Sequence, residues 1–145
     1  MRTLPRLLFA LSLAVLMGPG PGAKEVETFS VDLPANIAEA ATVMLYLQDL
    51  RLPRNQPAVV RVWAVDENGS EALLGSYGVL ADSTEASGMR TVPNVPIEIT
   101  RNLKDWVSKH RQEKKLTLRV RPMDGKGKPL AHIEWGVRGI AIVGK

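Results

Sequence analysis

The stretch Ala58-Val-Val-Arg-Val-Trp-Ala-Val-Asp-Glu-Asn-Gly-Ser-Glu-Ala-Leu-Leu-Gly-Ser-Tyr-Gly-Val-Leu80 decides the fold. Ala58 to Val65 is an apolar, β-branched run. Asp66-Glu67-Asn68-Gly69 follows, and Asn-Gly between two apolar runs is the strongest short-range hairpin signal, because a tight strand-to-strand turn needs positive φ. Leu73 to Leu80 is the returning arm, in which Gly75 and Gly78 mark a bulge or a close backbone approach.

The same period-two reading extends in both directions. Upstream, Thr42 to Leu50 is a strand with Val43, Leu45 and Leu47 on one face, and Glu25 to Leu33 is a softer first strand. Residues 34–40 form a connection with room for one helical turn, and residues 52–57 a proline-containing loop. Downstream, residues 81–91 are small and polar and read as an exposed loop, and Val95 to Ile99 is a short strand that Pro93 and Pro96 mark as an edge. One short helix is expected over residues 101–108, capped by the Thr100 hydroxyl, with Leu103, Trp106 and Val107 as its apolar stripe.

Lys114 opens a last hairpin turning at Asp124–Lys128. Leu116, Leu118 and Val120 face inward, and Thr117, Arg119 and Arg121 outward. The final strand sets Ala131, Ile133, Trp135 and Val137 on one face, then Ile140 and Ile142 on the other. An inverted phase implies an inserted residue, so a bulge is expected near Gly136–Gly139. Strands joined by turns every few residues give an all-β fold: an antiparallel, jelly-roll-like β-sandwich of seven to eight strands with one short helix.

Composition narrows the chemistry. The chain has 145 residues, no cysteine and two histidines, His110 and His132. Disulfides, thiolate metal sites and cysteine nucleophiles are excluded. Arg2 and Arg6, the apolar run Leu7 to Met17, and the breaker Gly18-Pro-Gly-Pro-Gly-Ala23 have the layout of a secretory signal peptide cut after Gly22 or Ala23. The domain division expected is a signal peptide at 1–23 and a single β-sandwich at 24–145. The chain is expected to be exported, periplasmic or extracellular, with no stable membrane insertion after cleavage. Residues 24–100 carry 5 basic and 11 acidic groups; residues 101–128 carry 10 basic and 3 acidic groups.

That basic segment makes Arg119, Arg121, Lys126 and Lys128 the candidate partner-binding residues, since Arg forks suit carboxylates. Nucleic acid is not expected as a partner, because aromatic interleaving is poor. Trp63 is the candidate ligand-stacking residue; Trp106 and Trp135 read as core. His110, in a basic run, and His132, on the last strand, read as exposed, and no metal or cofactor site is expected. Asn68-Gly69-Ser70 matches an N-glycosylation sequon that a hairpin turn explains equally well. No catalytic motif is visible.

The order of elements resembles the C-terminal β-sandwich domain of polyphenol oxidases and tyrosinases, the Lys-Phe-Asp-Val-type domain, from about Phe29 to Val143. Phe29-Ser-Val-Asp-Leu resembles its opening strand. Val43-Met-Leu-Tyr-Leu-Gln-Asp-Leu-Arg-Leu-Pro resembles the lead into its central hairpin, and Val60-Arg-Val-Trp-Ala-Val-Asp-Glu-Asn-Gly the segment that carries its motif. Leu74-Gly-Ser-Tyr, Ile97-Glu-Ile-Thr-Arg-Asn-Leu, Leu116-Thr-Leu-Arg-Val-Arg-Pro and Val137-Arg-Gly-Ile-Ala-Ile resemble the elements that follow. The Lys-Phe-Asp-Val tetrad itself is absent. The resemblance implies an exported, non-catalytic accessory domain that packs on or shields a tyrosinase-like copper enzyme in trans. The alternative is a secreted carbohydrate-binding or structural envelope module. Since two histidines cannot build the family's dicopper site, the pure protein supplied with copper will not turn over a catechol. Copper-dependent oxidation followed by quinone absorbance would overturn that expectation.

Overall fold

The structure, a computed structural model, describes residues 22–130 and 132–145. The expected signal peptide lies almost wholly outside them, as does Ala131. The strands are β1 (Gly22–Ala23), β2 (Glu27–Asp32), β3 (Val43–Pro53), β4 (Ala58–Val65), β5 (Glu71–Val79), β6 (Met89–Glu98), β7 (Lys115–Met123), β8 (Glu134–Trp135) and β9 (Gly139–Gly144), with one helix, α1 (Thr100–Lys109), between β6 and β7. Two antiparallel sheets, ordered β2-β7-β4-β5 and β6-β3-β9, bury their facing sides in one core, and β1 and β8 form a separate short ladder whose Trp135 enters that core. The expected antiparallel sandwich is what the chain forms.

Alternation builds that core. Val60, Val62 and Ala64 of β4, Leu116, Leu118 and Val120 of β7, and Val43, Leu45 and Leu47 of β3 are fully buried. The β4-β5 hairpin closes on an Asp66 side chain whose Oδ1 accepts the Asn68 and Ser70 N–H groups at 2.9 Å each, with Gly69 at φ 83. Of the two hairpin glycines, Gly75 lies beside a register shift and is the point of close approach: a Cβ there would sit 2.6 Å from Ile97 Cγ2. Gly78 would meet nothing within 4 Å.

Several expectations are corrected. Arg119, Arg121 and the rest of β7 do not form a hairpin with the final strand. β7 pairs with β2 and β4, and β9 crosses to pair with β3; among the described residues a single Met123–Pro129 bridge joins the two sides of the Asp124–Lys128 turn. β6 starts at Met89 rather than Val95, running as an edge strand through Pro93 and Pro96. Thr100 does not cap its helix: its Oγ1 accepts the Val43 N–H at 2.9 Å, tying α1 to β3. The α1 stripe is as expected, with Leu103 and Trp106 buried and Val107 half-buried.

The phase inversion at the last strand is real, but no residue is inserted. Gln48 faces Gly139 and Arg51 faces Gly136 in one register, with Asp49 and Arg138 between. Asp49 adopts φ 51, and its carboxylate pairs with Arg138. Beyond this point β3 turns the opposite parity inward, so Leu50 and Leu52 are fully buried as well.

The contrast between the two glycines is testable. Gly75→Ala must displace Ile97 and should destabilise the fold by about 1–3 kcal/mol, the usual cost of overpacking. Gly78→Ala should change stability by about half a kcal/mol or less, as for other unhindered surface positions. Urea unfolding followed by tryptophan fluorescence reads both, and equal midpoints for the two variants would contradict the close approach.

Candidate functional site

The outward face of the four-stranded sheet gathers the polar side chains that the fold leaves over. Alternation sends Arg61 and Trp63 outward from β4 and Thr117, Arg119 and Arg121 outward from β7, while their neighbours in sequence enter the core. Register sets Arg121 directly opposite Arg61, and Arg119 directly opposite Trp63. On the far side of β4, Ser76 faces Arg61 and Leu73 faces Trp63.

Glu71, the first residue of β5, organises this face. The Asp66-centred turn delivers it to the sheet, and its carboxylate reaches past β4 to the arginines of β7. Arg121 donates to it from both guanidinium ends, Nη1 to Oε1 at 3.2 Å and Nη2 to Oε2 at 2.7 Å. Arg119 Nη1 donates to Oε2 at 2.8 Å. Such a fork-on-carboxylate arrangement is the strong form of a charged hydrogen bond. These bonds from Arg121, then Arg119, hold the Glu71 carboxyl below the usual value of 4.5. Arg121 also lies over the Trp63 ring, 4.8 Å from its centroid, within cation–π range.

The candidate residues therefore divide. Arg119, Arg121 and Trp63 come together around Glu71, and the two arginine side chains keep only 34% and 20% of their exposure. Trp63 is half-buried with one face under a guanidinium, not an open stacking platform. Lys126 and Lys128 stand apart in the exposed turn past Met123, where their backbone N–H groups, at 2.7 and 2.9 Å, hold Asp124 Oδ1. Those two bonds, Lys128 first, lower the Asp124 carboxyl below its usual value. Sequence reading missed Glu71 and Arg61. Arg61 carried a signal, its shared parity with Trp63; Glu71 became visible only once β7 was known to lie beside β4.

The histidines are used locally. His110 is half-buried rather than exposed: its ring stacks on Trp106 at 4.1 Å between centroids, Nδ1 lies 2.8 Å from the Trp106 carbonyl, and Nε2 lies 3.8 Å from Asp66. His132 is exposed, as expected, but in a left-handed bend at φ 64 rather than on a strand. Among the described residues, no group of three or more His, Asp or Glu is placed to hold a metal ion, and no helix is long and apolar enough to cross a membrane.

No protein-family model matches the chain, and no curated protein matches it. Solved structures do. A latent aurone synthase, a polyphenol oxidase from its natural source, superposes with a TM-score of 0.59 at 12% identity, covering 89% of this chain and 26% of that one. A latent apple tyrosinase superposes with a TM-score of 0.58 at 12% identity, covering 86% and 27%. The chain thus has the fold of about a quarter of these enzymes, in keeping with the resemblance to their C-terminal domain.

The depressed Glu71 carboxyl makes a signed prediction. A carboxyl whose folded value is lowered stabilises the fold above its unfolded value and loses that contribution as pH falls through the folded one. Glu71→Gln should lower Tm at neutral pH, and the gap to the parent should close as pH falls below 4.5 and through the lowered folded value. Thermal unfolding followed by circular dichroism across that range checks it; a gap that stays constant would remove Glu71 from the acid response.

Proposed function

We propose that this protein is an exported, non-catalytic accessory domain that packs on a tyrosinase-like copper enzyme in trans and restricts access to it. One observation carries the reading. The similarity to latent polyphenol oxidases takes in nearly all of this chain and only about a quarter of theirs, so what is shared is a sandwich and not the bulk of the enzyme. Among the described residues, Asp66 is engaged in its turn, His110 in a ring stack and Glu71 in ion pairs, which suits a structural rather than a catalytic use of them. Export rests on the leader-like residues 1–23. The basic set Arg119, Arg121, Lys126 and Lys128 would contribute attraction to an acidic partner surface, screened within about 8 Å at physiological salt.

The test is a titration of the protein into a latent polyphenol oxidase from which the region of the same fold has been removed. Association should appear in sedimentation velocity, and diphenol oxidation should slow as the complex fills. An unchanged oxidation rate with no co-sedimentation would sink the accessory reading.

A further inference from the structure

Arg61 occupies a position that fold stability alone does not explain. It is half-buried on the outward face of β4, directly opposite Arg121 on one side and Ser76 on the other. Like charges in directly opposed cross-strand positions repel. Arg121 is relieved of that repulsion by Glu71, which it shares with Arg119. Among the described residues Arg61 forms no ion pair. Two of these guanidiniums thus share the Glu71 carboxylate, and Arg61 is left without one. Glu71 shows how a carboxylate seats here: in the fork of Arg121, with a further bond from Arg119.

We propose that the Arg61–Arg121 face is a carboxylate-binding surface for an acidic segment of a protein partner, whose side chain supplies the counter-ion that Arg61 lacks. The choice of a protein over a polysaccharide follows from Trp63. Its ring is covered by Arg121, so the flat aromatic surface on which a sugar would stack is already taken. What stays open is the Arg61 guanidinium beside the partly exposed Arg119 and Arg121, and Arg with Trp is the pairing that protein interfaces concentrate at their centres. Arg119 and Arg121 lie two residues apart on one strand, about 7 Å along the sheet, a spacing that alternate carboxylates of an extended acidic segment match. Glu71 then serves as an internal competitor: it holds two of the three guanidiniums until an incoming carboxylate displaces or joins it. The inference deepens the accessory reading by naming the surface and the chemistry of the partner.

The experiment uses poly-L-glutamate as the probe, titrated into the protein by calorimetry at low ionic strength and again at about 150 mM salt. Arg61→Ala should weaken binding about tenfold, the loss expected of a charge-assisted hydrogen bond. Lys128→Ala removes the same unit of charge from the exposed turn and should cost about threefold or less, as for a screened surface charge. Arg61→Lys keeps the charge but loses the fork, and should fall between the parent and the alanine variant. Glu71→Gln should bind more tightly than the parent, a direction that simple loss of structure would not produce. Equal losses for Arg61→Ala and Lys128→Ala would reduce the face to a solvated basic surface and overturn the proposal. Arg61-dependent binding of polygalacturonate in preference to poly-L-glutamate would also overturn it, in favour of an acidic polysaccharide. Neither result bears on co-sedimentation with the trimmed polyphenol oxidase, so the docking surface and the accessory role can fail separately.

Discussion

β3 must turn five large side chains into one core, and they do not share a parity. Val43, Leu45 and Leu47 point inward on odd positions, Leu50 and Leu52 on even ones, and all are fully buried. A regular strand would leave the last two in water, at a cost of about 1.5–3 kcal/mol each. Against a total stability of about 5–15 kcal/mol, that is not tolerable. The chain solves the conflict at Asp49. A left-handed residue costs about 1–2 kcal/mol, less for Asp than for most residues, and it flips the parity without disturbing register. Its neighbour across the ladder, Arg138, flips in step, so that Trp135 and Val137 are buried before it while Ile140 and Ile142 pack on the core after it. The exposed Asp49–Arg138 pair contributes little by itself, since surface ion pairs are worth about 0–1 kcal/mol. Leucine burial drives the kink, and the ion pair only makes use of the two side chains that it expels.

The second sheet hangs on that strand. β3 is its centre, with β6 and β9 on either side, and Thr100 anchors the helix to its first residue. Placing α1 so buries Leu103 and Trp106 and gives His110 its stacking partner. At the other end of the sandwich, buried Glu27 accepts the Val137 N–H at 3.1 Å, Lys24 pairs with Glu27 at 2.7 Å, and Trp135 Nε1 donates to the Lys24 carbonyl at 2.6 Å. The β8–β9 break is thereby held from the N-terminal side as well as by β3.

How much of this was legible follows from range. Features set within a few residues read correctly: the hairpin at Asn68-Gly69, the parity of β7, the stripe of α1, and the phase flip at residues 136–139, though not the inserted residue inferred from it. Features that depend on which strand lies beside which did not. Asp124–Lys128 has the composition of a hairpin turn, yet the chain beyond it passes through β8, which pairs with β1, to β9 in the opposite sheet, because β9 is claimed by β3 and β7 by β2 and β4. A capping hydroxyl and a hydroxyl that ties a helix to a distant strand are the same Thr100 in sequence. The candidate site was legible by half for the same reason. Outward parity identified Arg119 and Arg121, but their acceptor lies 48 and 50 residues away, on a strand that does not touch theirs.

The charge asymmetry of the sequence changes meaning once folded. Residues 24–100 are strongly acidic and residues 101–128 strongly basic, which along the chain reads as one basic flank. The fold interleaves them: β7, from the basic segment, lies between β2 and β4, from the acidic one. Partial neutralisation follows from that placement, since the one Glu71 carboxylate on β5 bonds both β7 arginines. Three guanidiniums against the Glu71 carboxylate leave this face positive, and the one with no ion pair among the described residues is Arg61, in the segment that sequence arithmetic calls acidic. Net charge by segment therefore finds the arginines that the fold has already satisfied and passes over the one whose counter-ion has to come from elsewhere.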